Sequence, residues 1–94
     1  MLVYYRAIAE LRLAGSLGLY LIRRFPFKAE YTDDPMSLQV PAIEAINAAG
    51  LQACFIHEIR LDDELQDDEA ELLIGGIRSN LIGAATGGAG RRQT

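Results

Sequence analysis

The chain has 94 residues, half of them hydrophobic, a formal net charge of −4 at pH 7 and one cysteine. This length suits one domain with a small core, and the apolar fraction is too high for a disordered chain. The acidic balance argues against general nucleic-acid binding, and no apolar run approaches the roughly 18 residues of a membrane span. One cysteine cannot form an internal disulfide, and charges at positions 6, 10 and 12 interrupt any secretory signal. We therefore expect a cytoplasmic protein with no nucleic-acid or membrane partner.

The first stretch, Leu2 to Phe27, has the period-two alternation of a β-hairpin. Residues 13–15 fit a three-residue turn with glycine in the left-handed conformation. This turn pairs Arg12 with Ser16, and the predicted register sets Leu11 opposite Leu17, Ala9 opposite Leu19 and Ala7 opposite Leu21. The predicted apolar face also includes Val3 and Tyr5. One long helix is the alternative, but Gly15 and Gly18 would each cost it about 1 kcal/mol relative to alanine.

After the hairpin, residues 25–28 are expected to leave the sheet, and residues 31–35 form a loop rich in turn-forming residues. The loop leads into a helix whose N-cap is either Asp34 or Ser37, and Gly50 suits a left-handed C-cap. The apolar stripe of this helix consists of Leu38, Ala42, Ala45, Ile46 and Ala49.

The second half of the chain predicts one more strand and one more helix. Leu51 to Leu61 alternates, and the uncharged side that we expect to face the core carries Ala53, Phe55, His57, Ile59 and Leu61. An acidic loop follows, and a helix capped by Asp68, with Glu71 three residues later, has its core stripe at Ala70, Leu73, Ile74, Ile77 and Leu81. Residues 84–94 are rich in glycine and are expected to form a flexible tail on a domain of residues 1–83.

The element order strand, strand, helix, strand, helix predicts an α+β domain with two layers. Both helices are expected on the apolar face of a small antiparallel or mixed sheet. The other sheet face is then left without a helical cover.

Three candidate sites for chemistry are weak in this sequence. Cys54 and His57 are three residues apart in a strand and point to opposite faces, so His57 is expected to be structural. The acidic run of residues 62–71 is not an EF-hand, because Asp67 occupies the glycine position and Leu73 the glutamate position. The glycine-rich tail follows a helix and therefore lacks the context of a phosphate-binding loop. We expect no metal, no cofactor and no catalytic residue.

The remaining candidate is the mixed face of the predicted sheet, which is rich in arginine, tyrosine and isoleucine, as protein interfaces are. The charged residues among the first 28 are mainly basic, whereas residues 62–71 hold seven of the thirteen acids. The two regions of different copies could therefore attract each other. We expect a homodimer; the alternatives are a small-ligand protein or enzyme that binds an anion, and a simply solvated face. The predicted interface or ligand-binding residues are Tyr4, Arg6, Ile8, Arg12, Tyr20, Ile22, Arg24, Ile56 and Arg60.

Overall fold

Three antiparallel strands and two α-helices make up the protein, as seen in a computed structural model that describes residues 1–84. The elements are β1 (Leu2–Leu13), β2 (Leu21–Glu30), a 3-10 turn (Pro35–Leu38), α1 (Gln39–Ala48), β3 (Leu51–Leu61) and α2 (Asp67–Ile82). The strand order in the sheet is β2-β1-β3, with the first strand in the centre. This arrangement confirms the predicted α+β class and element order. Apart from Ala84, the predicted tail of residues 84–94 lies outside the described residues.

The core lies on the side of the sheet to which the odd-numbered residues of β1 point. Tyr5, Ala7, Ala9 and Leu11 are completely buried there, as the period-two pattern predicts. Both helices contribute to this same core, and the two other strands supply the rest of its members: Phe25, Phe27, Ala42, Ile46, Leu51, Ile56, Ile59, Ile77 and Leu81. No helix within residues 1–84 has the length and apolarity needed to span a membrane.

The register of the β1–β2 hairpin differs from the predicted one by four residues. Gly15 has the expected positive φ of 79°, but the strands pair again only from Leu21, which lies opposite Leu11. Ala7 consequently faces Phe25, so the prediction that residues 25–28 leave the sheet is wrong. An even shift keeps every side chain on the same face, and the longer turn costs little entropy. Burial of two phenylalanines therefore decides the register, and Leu17 and Leu19 are left outside the core.

Strand β3 has the predicted bounds, but the faces predicted for its central residues are wrong. The pairing with β1 shifts by one residue between Ile8 and Ala9, and again between Glu10 and Leu11, so His57 and Cys54 have no partner in β1. Each β-bulge inserts one extra residue and reverses the alternation beyond it. As a result Ile56 is buried, whereas Phe55 and His57, predicted to lie in the core, are exposed. Leu61 is also exposed rather than buried.

The glycine predicted to end the first helix has the expected conformation, whereas the second helix has a different N-cap from the predicted one. Helix α1 begins at Gln39, after a 3-10 turn that starts at Pro35, and Gly50 follows it with a φ of 79°, as predicted for a left-handed C-cap. Helix α2 begins earlier than predicted. Gln66 is its N-cap, and the backbone N–H of Gln66 donates a hydrogen bond of 2.9 Å to the Glu69 carboxylate. The acids in the first turn of α2 interact favourably with the helix dipole.

Candidate interface on the free sheet face

The side of the sheet opposite the core, which we call the free face, carries Arg6, Ile8, Glu10 and Arg12 of β1 and Ile22 and Arg24 of β2. The bulges in β3 add Phe55 and His57 to this face, beside Glu58 and Arg60. Six of the nine predicted site residues lie on the free face, namely Arg6, Ile8, Arg12, Ile22, Arg24 and Arg60. The structure therefore brings together most of the predicted set, on one surface formed by all three strands.

Arginines form the polar part of the free face. Arg6 lies directly opposite Arg60 across β1 and β3, and Arg24 lies opposite Ile8 across β1 and β2. These four residues, with Leu61 and Asp62, line an open cavity of about 460 Å³. Because like charges directly opposite each other in a sheet repel, the arrangement requires anionic partners.

The chain supplies two such partners for the three arginines. The Arg6 guanidinium donates a hydrogen bond to the Asp62 carboxylate, and Arg60 Nε lies 3.0 Å from a Glu58 carboxylate oxygen. The Arg24 guanidinium forms no hydrogen bond or ion pair with the other residues of the described range 1–84. One guanidinium on the free face is therefore left to solvent or to a partner.

The apolar part of the free face crosses all three strands. Ile22 and Phe55 lie opposite Glu10 from either side, and their side chains are 55% and 56% exposed. Ile8 is half-buried and lies next to them. A second cavity of about 490 Å³ connects Ile8 and Ile22 with Leu73 and Ile77 of α2. Phe55 was not predicted for this face, because only the bulges turn its side chain outward.

The other three predicted site residues are either buried or held by contacts within the chain. Ile56 is 8% exposed and belongs to the core, which corrects its assignment to the interface. Tyr20 lies in the β1–β2 turn, where its ring is 4.5 Å from the Arg12 guanidinium, a cation–π contact. Tyr4 is bound by the first turn of α2.

The contacts of Tyr4 form a small polar cluster with Lys28 and Asp67. The Tyr4 hydroxyl donates a hydrogen bond of 2.7 Å to Asp67 Oδ1, and Lys28 Nζ lies 2.9 Å from the same oxygen. Partial burial, followed by the hydrogen bond to Asp67 and the nearby negative charge, raises the pKa of the Tyr4 hydroxyl to about 12. The hydrogen bonds from Tyr4 and Lys28 lower the pKa of Asp67 below its usual value. The sequence carried no signal for this cluster, because its members are distant along the chain.

The only histidine lies on the free face and not in the core. His57 Nε2 is 2.8 Å from a Glu10 carboxylate oxygen, and the Phe55 ring packs edge-on against the imidazole with centroids 4.8 Å apart. Among residues 1–84, no three histidine, cysteine or acidic side chains are grouped so that they could hold a metal ion. The described arrangement suits binding through arginine and apolar side chains.

Comparison of the chain with models of protein families, with curated proteins and with solved structures finds no match. The residues of the free face are therefore the basis for inferring a function.

Proposed function

We propose that the protein is a cytoplasmic, non-enzymatic interaction module that forms a homodimer through its free face. The observation that carries this proposal is the exposure of Ile22 and Phe55 on either side of Glu10, with Ile8 beside them, on a sheet face that the core does not use. Surfaces that combine exposed apolar and aromatic side chains with arginine are typical of protein interfaces. The free thiol of Cys54 is compatible with a reducing compartment.

The size of the free face fits a weak dimer. Three strands of about 11 residues cover about 35 by 14 Å, so that two copies would bury about 1,000 Å² in total. This area is near the lower limit for specific interfaces. The loss of translational and rotational freedom and the desolvation of polar groups offset most of the gain from apolar burial at an interface of this size. We therefore expect a reversible dimer, with a dissociation constant on the order of micromolar.

The charges of the free face support a second copy as the partner. The surface carries the acids Glu10 and Glu58 as well as the unpaired Arg24, and a two-fold axis brings the same patch of both copies together. A surface with both signs of charge can complement itself in this way. Charge would mainly orient the copies, whereas apolar burial would hold them.

The test is the molar mass in solution, measured by light scattering at micromolar concentrations. The wild-type chain should show a mass that rises toward that of a dimer. Ile22→Glu should remain monomeric, because its dimer would have to bury the new carboxylate. Leu72→Glu is the matched control, since Leu72 is 76% exposed on α2 and lies outside the free face. Salt at about 0.5 M should weaken the dimer only modestly, because screening acts mainly on exposed charges. A monomeric wild-type chain, or equal effects of the two variants, would exclude the proposal.

The second candidate is a protein or enzyme that binds a small anion at Arg6, Arg24 and Arg60. The specific observation in its favour is the cavity of about 460 Å³ that these arginines line, with two guanidinium groups opposite each other. Phosphate and carboxylate groups match the planar fork of arginine. Isothermal titration of the monomeric Ile22→Glu variant with inorganic phosphate tests this candidate. Suppose that phosphate binds, that Arg24→Gln abolishes this binding and that the wild-type chain stays monomeric. Anion binding would then be the better-supported function.

A further inference from the structure

The β1–β2 turn at residues 14–20 presents two leucines to solvent. Leu17 is 98% exposed, the highest value of any large hydrophobic side chain in residues 1–84, and Leu19 is 86% exposed. The turn is held by its own contacts. Ser16 N donates to the Leu13 carbonyl at 3.1 Å, and Gly18 N donates to Ser16 Oγ at 2.9 Å. The leucines are therefore carried by an ordered turn and face away from the core.

Three arginines surround the base of this turn. The Arg12 guanidinium is 3.5 Å from the Gly18 carbonyl oxygen, and Arg23 donates to the Ile22 carbonyl at 2.8 Å and to Asn80 at 3.1 Å. Arg78 lies beside Gly50, whose carbonyl accepts a hydrogen bond of 3.0 Å from Ala14. All three guanidinium groups thus lie at the same end of the sheet.

The same end of the molecule is poor in negative charge, and Glu10, which lies opposite Ile22, is at its border. Its segments, residues 11–23, 47–54 and 75–84, contain no aspartate or glutamate, whereas seven acids lie in residues 62–71. That acidic segment follows the far end of β3 and begins α2, where Asp67 binds Tyr4 near the start of β1. The protein is therefore polarised, with a basic end that carries exposed leucines and an acidic end on the opposite side.

We propose that this basic end docks on a membrane surface that contains anionic lipids. Leu17 and Leu19 insert between the headgroups, and Arg12, Arg23 and Arg78 lie against the lipid phosphates. Surface binding of this kind combines apolar insertion with attraction of basic side chains to anionic lipid. Repulsion between the lipid and the acidic end orients the turn toward the bilayer.

The shape of the turn favours a lipid surface over a folded protein. Two leucines on a convex tip offer far less than the roughly 1,000 Å² that specific protein interfaces bury. A fluid bilayer needs no complementary pocket, and single apolar side chains can enter it. The sequence pattern assigned Leu17 and Leu19 to the core, whereas the observed hairpin register leaves both side chains exposed.

The experiment is cosedimentation of the full chain with vesicles. One set contains phosphatidylcholine with about 30% phosphatidylserine, and the other contains phosphatidylcholine alone. The wild-type chain should bind the anionic vesicles and bind the neutral ones more weakly. The double variant L17S/L19S should lower partitioning to anionic vesicles by at least about tenfold, and Arg23→Gln should lower it by about fivefold.

Leu72→Ser is the matched control and should bind as the wild-type chain does. Circular dichroism should show the same fold for every variant, because the substituted leucines are exposed.

Several results would overturn the proposal. Absence of wild-type binding to anionic vesicles is one, and equal binding to both vesicle types is another. An effect of Leu72→Ser as large as that of L17S/L19S would show general hydrophobic adsorption. If L17S/L19S instead lowers the molar mass of the free protein, the turn binds a second copy of the chain. Free-face association through Ile22 is measured without vesicles, so either proposal can fail alone.

Discussion

His57 Nε2 lies 2.8 Å from a carboxylate oxygen of Glu10, across β1 and β3 on the free face. The pair exists because the first bulge in β3 leaves His57 without a backbone partner in β1. Both side chains are partly exposed, at 40% and 33%. The imidazole is therefore part of the surface and makes no contribution to the core.

His57→Ala should lower the free energy of unfolding by less than about 1 kcal/mol, as is typical of exposed ion pairs. A buried structural histidine, which the sequence pattern predicts, would cost about 1–3 kcal/mol. Urea denaturation separates the two cases. A loss of 2 kcal/mol or more would show that His57 stabilises the fold much more than a surface pair does.

Ile56→Ala and Phe55→Ala test the bulges directly, because the two residues are adjacent and lie on opposite faces. Ile56→Ala should cost about 2–5 kcal/mol, as core isoleucine truncations do. Phe55→Ala should cost less than about 1 kcal/mol, since its side chain is more than half exposed. Thermal and chemical denaturation of both variants would give the order. The reverse order would mean that β3 keeps the uninterrupted alternation.

Gly50→Ala should lower stability by about 1–2 kcal/mol, because Gly50 has a φ of 79° and alanine is strained there. Space is not the cause, since an added Cβ would meet only the Arg78 guanidinium at 3.9 Å. Gly75→Ala is the matched control. It lies within α2 with nothing within 4 Å of an added Cβ, and should raise stability by about 0.5–1 kcal/mol. Changes of the same sign would contradict the assigned backbone conformations.

Tyr4→Phe should alter the dependence of stability on pH at both extremes. The pKa of Tyr4 is about 12 in the folded protein, compared with an ordinary value of 10.0. The contribution of Tyr4 to stability is therefore present below pH 10 and is lost as pH rises toward 12. The pKa of Asp67 is lowered, so its contribution is present above 3.8 and is lost as pH falls through the folded value.

The measurement is the unfolding midpoint as a function of pH for the wild type, Tyr4→Phe and Tyr31→Phe. Tyr4→Phe should flatten the decline between pH 10 and 12 and reduce the decline in acid, where Lys28 alone still binds Asp67. Tyr31→Phe, in the exposed loop after β2, should keep the wild-type profile. Identical profiles for the three proteins would show that the Tyr4–Asp67 hydrogen bond does not form in solution.

The sequence by itself determined the features that depend on local pattern. The alternation of β1 places Tyr5 to Leu11 in the core, the bounds of β3 agree with its alternating segment, and Gly50 ends α1 in the left-handed conformation. Six of the nine predicted site residues lie on the free face for the same reason. A hairpin shift of four residues leaves even-numbered side chains such as Ile22 and Arg24 on the same side.

Only the tertiary structure decided how the strands pair. Burial of Phe25 and Phe27 against both helices selects the hairpin register and exposes Leu17 and Leu19, a choice that periodicity cannot make. The two bulges in β3 place Ile56 rather than Phe55 in the core, and they bring His57 next to Glu10. A bulge is a property of a strand pair and not of one strand, so its position depends on partners about 45 residues away in the chain. The polar cluster of Tyr4, Lys28 and Asp67 has the same origin, because packing alone brings those residues together.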